Sequence, residues 1–163
     1  MATGLPAFTQ VIWSGTLFIA LCATGAIYTS PTGAVWTPQT SGVTSSFAGI
    51  AVDGAGGALA YTVASEVLFS ADGVTWAPVS LPSGSSVSGV TYLGGYYYVL
   101  GGVSGAPLMY RSANGTVWAQ ITFALAGAFT YVTTLAGSFM ALGLFGNQPK
   151  ALVSPDNTFA SYM

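Results

Sequence analysis

The chain has 163 residues, of which 52% are hydrophobic and only 4% charged, against about a quarter charged in an ordinary soluble domain. The charged side chains are Asp53, Glu66, Asp72, Arg111, Lys150 and Asp156, with no histidine and Cys22 as the one cysteine. This inventory excludes a Ser/His/Asp triad, a histidine-activated cysteine and a His/Cys metal centre, and a net charge of −2 supplies no basic field for nucleic acid.

The length fits one domain over residues 1–163 with a real core. At its start, Met1 to Pro6 lacks the basic n-region of a secretory signal, which leaves open only a signal removed ahead of Met1. Val11 to Tyr28 is the best membrane-spanning candidate. It is short for a span, is broken by Ser14, Gly15, Thr16, Thr24 and Gly25, and has no basic flanks; no membrane insertion is expected. Cys22, apolar-flanked and without a partner, reads as a small core residue.

Four repeats then follow in one order, at about residues 5–43, 44–84, 85–125 and 126–163. Each opens with a hydrophobic pair spaced by three: Phe8 and Val11, Phe47 and Ile50, Val87 and Val90, Phe129 and Val132. A Gly-containing turn comes next, at Ser14-Gly15, Asp53 to Gly57, Leu93 to Gly95 and Leu135 to Gly137. Short apolar runs follow at Leu17 to Leu21, Leu59 to Val63, Tyr96 to Leu100 and Phe139 to Leu142. A third run ends at Ser30, Ser70, Ser112 and Ser154, and each serine opens a turn that closes on an aromatic: Trp36, Trp76, Trp118 and Phe159. Runs of Val, Ile, Tyr, Phe and Thr divided by Gly, Asn and Asp turns are strand and hairpin signals. A period near 41 residues fits a four-stranded antiparallel meander per repeat, the size of a propeller blade. No helical stripe survives the 22 glycines, so the expected fold is all-β and β-propeller-like.

The turns Ser70-Ala-Asp72-Gly-Val-Thr-Trp76 and Ser112-Ala-Asn114-Gly-Thr-Val-Trp118 carry a family resemblance. They resemble the Asp-box repeats of sialidase-like β-propellers, which also occur in bacterial and phage proteins. The usual box is one residue longer, and only Asp72 and Asp156 keep the acid, with Thr32 and Asn114 standing in elsewhere. The resemblance implies that these turns are structural: the Ser and Asp side chains bond turn amides and the aromatic packs between strands. It also implies what a sialidase would need, namely three arginines, a tyrosine nucleophile and a glutamate. Arg111 alone cannot rebuild that cluster. A two-carboxylate glycosidase would have to draw on Asp53, Glu66, Asp72 and Asp156, of which Asp53, Asp72 and Asp156 sit in turns, and the chain is read as non-enzymatic, with no cofactor and no metal.

Recognition sites are sought among aromatics and loops. Trp36, Trp76 and Trp118 recur and read as packing, whereas Trp13 does not recur, Val52, Tyr92 and Thr134 taking its place. In Tyr96-Tyr97-Tyr98, alternation puts Tyr96 and Tyr98 on one face, where they are candidates for glycan or protein contact. The segments Val103 to Pro107 and Phe145 to Lys150 read as the longest connections between second and third strands, which makes Lys150 a loop candidate. Arg111 stands where sister repeats have Thr29, Phe69 and Val153, so its stem is expected to pack and its head to reach water. Asn114-Gly-Thr116 matches a glycosylation sequon inside a repeated turn.

So few charges protect a free monomer poorly against association. The expectation is a structural and recognition protein of a large assembly, a bacteriophage virion component such as a tail, fibre or capsid-decorating protein, assembled in the host cytoplasm and exposed outside the cell. Its partners would be other virion proteins, copies of itself and host-surface glycans. The alternatives are a lectin-like carbohydrate-binding propeller and an exported propeller-type assembly scaffold.

Overall fold

The computed structural model describes residues 5–124, 126–135, 138–146, 148–156 and 159. Among them there is no helix, and the strands form four antiparallel sheets. The first holds β1 (Phe8–Trp13), β2 (Phe18–Cys22), β3 (Ile27–Ser30) and β4 (Thr37–Gln39). The second holds β5 (Phe47–Val52), β6 (Ala58–Thr62), β7 (Val67–Ser70) and β8 (Ala77–Pro78). In the third are β9 (Ser85–Leu93), β10 (Tyr96–Val103), β11 (Ala106–Ser112) and β12 (Ala119–Ile121). The fourth contains β13 (Gly127–Leu135), β14 (Ser138–Phe145) and β15 (Gln148–Ser154). The last repeat thus shows three of its four expected strands, because the stretch that would follow Phe159 lies outside the described residues.

Two compact units divide the chain, Met1–Ser80 and Leu81–Met163. Inside the first, Ile19, Leu21 and Ile27 of one sheet meet Phe47, Ala58, Ala60 and Leu68 of the next, with Ile12, Ile50 and Trp76 packed at the margin. Inside the second, Tyr98, Leu100, Met109 and Ile121 meet Phe129, Val132, Ala141, Phe145, Leu152 and Phe159. Gly15 marks the closest approach in the first unit. Its φ is +102°, and a Cβ there would lie 1.9 Å from the Gly54 carbonyl oxygen, so only glycine lets the two turns meet.

A spacing of three puts two side chains on opposite faces of a regular strand, yet it marks the onset of every repeat. A β-bulge resolves the conflict. Phe8 pairs with Cys22 and Gln10 with Leu21, leaving Thr9 as the extra residue, and Ala48, Ser88 and Thr130 are extra in the same way in the other sheets. The bulge returns Phe8 and Val11, and their counterparts, to one face. In three sheets the extra residue also donates a hydroxyl hydrogen bond to the partner strand: Thr9 to the Leu21 carbonyl at 3.0 Å, Ser88 to Leu100 at 3.3 Å and Thr130 to Leu142 at 3.2 Å. The single Ser88 hydroxyl proton is shared with the carbonyl of Phe129 in the neighbouring sheet, which also lies within its reach.

Candidate functional site

The four serine turns are built by their own side chains. Ser30 and Ser112, both buried, each accept a backbone N–H at 2.8 Å, from Gly33 and Gly115. Asp72 Oδ1 accepts from Thr75 at 2.7 Å and Val74 at 2.8 Å, and Asn114 Oδ1 accepts from Thr116 and Val117 at 3.0 Å each. Donation from the Thr75 and then the Val74 amide holds the Asp72 carboxyl below the usual carboxylate range, since both bonds favour the charged form. Ser70 and Ser154 donate to Asp72 and Asp156 at 3.0 and 3.4 Å. The indole N–H groups of Trp36, Trp76 and Trp118 donate to the carbonyls of Gly33, Gly73 and Gly115. Those three glycines have φ of +79°, +75° and +73°, the left-handed geometry the turn requires. Phe159 replaces the tryptophan in the last turn and is buried in the core. Asn114, the sequon residue, spends its side-chain oxygen on its own turn.

The remaining acids are also engaged locally. Asp53 Oδ1 accepts from Ala55 at 2.7 Å and Gly57 at 2.9 Å, and Glu66 accepts the Thr62 hydroxyl at 2.9 Å. Cys22 is buried, and burial pushes its thiol pKa up. Among the described residues, no three His, Cys, Asp or Glu side chains gather as a metal site, and no helix is long and apolar enough to cross a membrane.

The structure separates the two candidate tyrosines. Tyr96 is half-buried at the rim of the second unit's core, with the Arg111 guanidinium carbon 5.1 Å from its ring centroid. Tyr98, on the same face, is instead fully buried within that core; its position two residues further into β10 places it under the next sheet, out of reach of a ligand. Tyr97 turns to the other face and packs against Tyr92, centroids 4.8 Å apart.

Apart from their turns, and from Asn147, which lies outside the described residues, both expected loops are paired strand. β10 continues to Val103 and pairs with Ala106 across Ser104-Gly105, whose φ values of 49° and 81° suit a two-residue hairpin. Likewise Phe145 pairs with Gln148, and Lys150 with Gly143. Lys150 is therefore an exposed strand residue, on the lip of a shallow depression of about 410 Å³ lined by Thr130, Leu142, Leu144, Pro149 and Ala151.

Sequence reasoning missed the exposed apolar side chains on the faces of the first and fourth sheets that turn away from the core of their own unit. On the first, Val11 and Trp13 are 48% and 46% exposed, with Trp13 against Phe18 at 4.7 Å and Phe8 against Trp36 at 4.8 Å. On the fourth, Tyr131 and Leu144 are 52% and 54% exposed. The signal was present in the non-recurring Trp13, which marks the place where one repeat differs from its sisters.

No protein-family model matches the chain, and no curated protein does. Its fold is similar to that of YCF48 from Cyanidioschyzon merolae, at 17% identity and a TM-score of 0.60 over 90% of this chain and 53% of that one. A structure of YCF48 bound to D1 peptide matches at 15% identity and a TM-score of 0.58, covering 90% and 54%. A nidogen/laminin complex matches at 14% and 0.60, covering 90% and 61%. The chain spans roughly half to three-fifths of the length of these structures, and at such identities the likeness shows the fold alone: the chain has a β-propeller fold.

Proposed function

We propose that the chain is a non-enzymatic propeller module that works by protein contact inside a large assembly, in its most concrete form a bacteriophage virion component. The observation that carries this reading is the surface. Large apolar side chains, among them Trp13, Val35, Val63, Val117, Tyr131 and Leu144, are exposed in a chain with six charged residues, and such a surface is stable in water chiefly when covered. The acids support the non-enzymatic part, because Asp53, Glu66 and Asp72 are spent on local hydrogen bonds. The Asp-box resemblance belongs to the same reading, since the serine turns carry the bonds that such boxes use. Two similar structures, YCF48 with D1 peptide and nidogen with laminin, are complexes with a peptide or protein; that support is an analogy of fold.

On this reading the chain is assembled in the host cytoplasm and exposed outside the cell. Particles purified from the natural source and analysed by quantitative mass spectrometry provide the test. A fixed stoichiometric copy number supports the assembly role. Recovery only as free protein, together with saturable binding on a glycan panel, would replace it with a lectin-like one.

A further inference from the structure

We propose that the outward face of the fourth sheet docks the outward face of the first sheet of a second copy, head to tail. The inference deepens the assembly reading and rests on it for its biological setting.

The register of the repeats carries it. Met140 pairs with Val153, the residue before Ser154. In the first and third sheets, each followed by another sheet of its own unit, the same position is Ile19, opposite Thr29, and Tyr98, opposite Arg111. Ile19 and Tyr98 are fully buried because the following sheet of the same unit covers them. Met140 and Leu142 have the same chemistry and lie only half-buried, and Tyr131, Leu144 and Val153 share their face by register and are exposed. The fourth sheet thus presents the face that elsewhere receives a following sheet.

The first sheet shows the converse. Val11 pairs with Ala20 as Val132 pairs with Ala141. Val132 is buried at 1% exposure by the sheet before it in its unit, and Ile50 packs against its preceding sheet in the same way, whereas Val11 is about half exposed. By alternation and pairing, Phe8, Val11, Trp13, Phe18 and Tyr28 share this face. It is the face that elsewhere receives a preceding sheet.

Each face therefore offers what the other lacks: the first sheet carries no charged residue, and on the fourth the one charged side chain, Lys150, stands at the margin, where its ammonium can stay in water. A second copy is the occupant that the chain itself specifies, because its first sheet is a sheet of the right kind presenting the right side. The two surfaces are unlike, so the contact is heterologous, and copies add to form a ring or an open filament.

Two variants of the full-length chain test this by complementation. Trp13→Asp spoils one face and Leu144→Asp the other. In light scattering over a concentration series, the wild type is expected to rise above its 16.5 kDa monomer mass, while each variant alone remains a monomer. An equimolar mixture of the two keeps one intact pair of faces and is expected to reach twice the monomer mass and no more. Circular dichroism melts check folding, and Trp13→Ser with Leu144→Ser replaces any variant that melts early. Wild-type mass behaviour in either variant, no recovery on mixing, or a wild type monomeric into the millimolar range would overturn the proposal. Stoichiometric incorporation of Leu144→Asp into particles, beside a monomeric wild type, would overturn this contact and leave the assembly reading standing; absence of the wild-type chain from particles beside successful complementation would do the reverse.

Discussion

The guanidinium of Arg111 lies over the ring of Tyr96, 5.1 Å from its centroid, across a diagonal of the β10–β11 pair in which Arg111 stands opposite Tyr98. Diagonal neighbours at this reach couple in sheets. A double-mutant cycle of Tyr96→Leu and Arg111→Met, followed by chemical denaturation, should give a coupling of about 0.5–1 kcal/mol. Additive losses would show that the arginine gains nothing from the ring.

Tyr96 and Tyr98 should part company under alanine substitution. Tyr98→Ala empties a fully buried site and is expected to cost about 3–5 kcal/mol through lost burial and the cavity left behind. Tyr96→Ala, at the rim, should cost clearly less. Equal costs in urea denaturation would contradict the placement of the two rings.

Asp72 makes part of the stability depend on pH. Its folded-state pKa is depressed by the Thr75 and Val74 amides, so its contribution is present above the ordinary carboxylate value and is lost as pH falls through that value toward the lower folded one. Asp72→Asn copies the acceptor that Asn114 supplies in the sister turn and removes the titration. Melting temperatures of wild type and variant, measured along an acid series, should converge as the pH falls. Parallel curves would refute the assignment.

The bulge hydroxyls offer a gain as well as a loss. Ala48 is the one extra residue without a hydroxyl, and by register its acceptor would be the Tyr61 carbonyl. Ala48→Thr should raise stability by about 0.5–1.5 kcal/mol, the net worth of one hydrogen bond, and Thr9→Ala should lower it by a similar amount. Denaturation midpoints of the two variants decide the matter, and a loss on Ala48→Thr would argue against the shared geometry.

Cys22 should be inert in the native protein. Its thiol is buried and its pKa raised, so the nucleophilic thiolate is scarce and shielded at neutral pH. A thiol-reactive dye should label the unfolded chain quickly and the native chain far more slowly. Rapid native labelling would mean that β2 opens readily.

Much of this fold was legible because the sequence repeats itself. The serines at 30, 70, 112 and 154 each close the third strand of their sheet, and the turn chemistry of Ser-x-Asp or Ser-x-Asn is local, so four copies sufficed to read it. Pairing across a hairpin is not local, and there the reading failed. Ser104-Gly105 extends β10 and β11 to a tight end, where composition alone resembled a loop. Alternation correctly grouped Tyr96 with Tyr98, but burial along a strand depends on which neighbouring sheet lies above it, and no local pattern reports that. The uncovered faces escaped for the same reason: Val11 and Val132 are the same residue type at the same register position, distinguished only by what packs on them.

The bulge at the start of each first strand has a consequence for how these repeats can change length. A residue lost from a regular strand transfers every side chain beyond it to the other face. Loss of Thr130 would leave Phe129 opposite Gly143 and Tyr131 opposite Leu142, the partners they already have. The bulge is thus the single point of the strand where a codon can disappear and the inside remain the inside, at the cost of the Thr130 hydroxyl bond and the local bend.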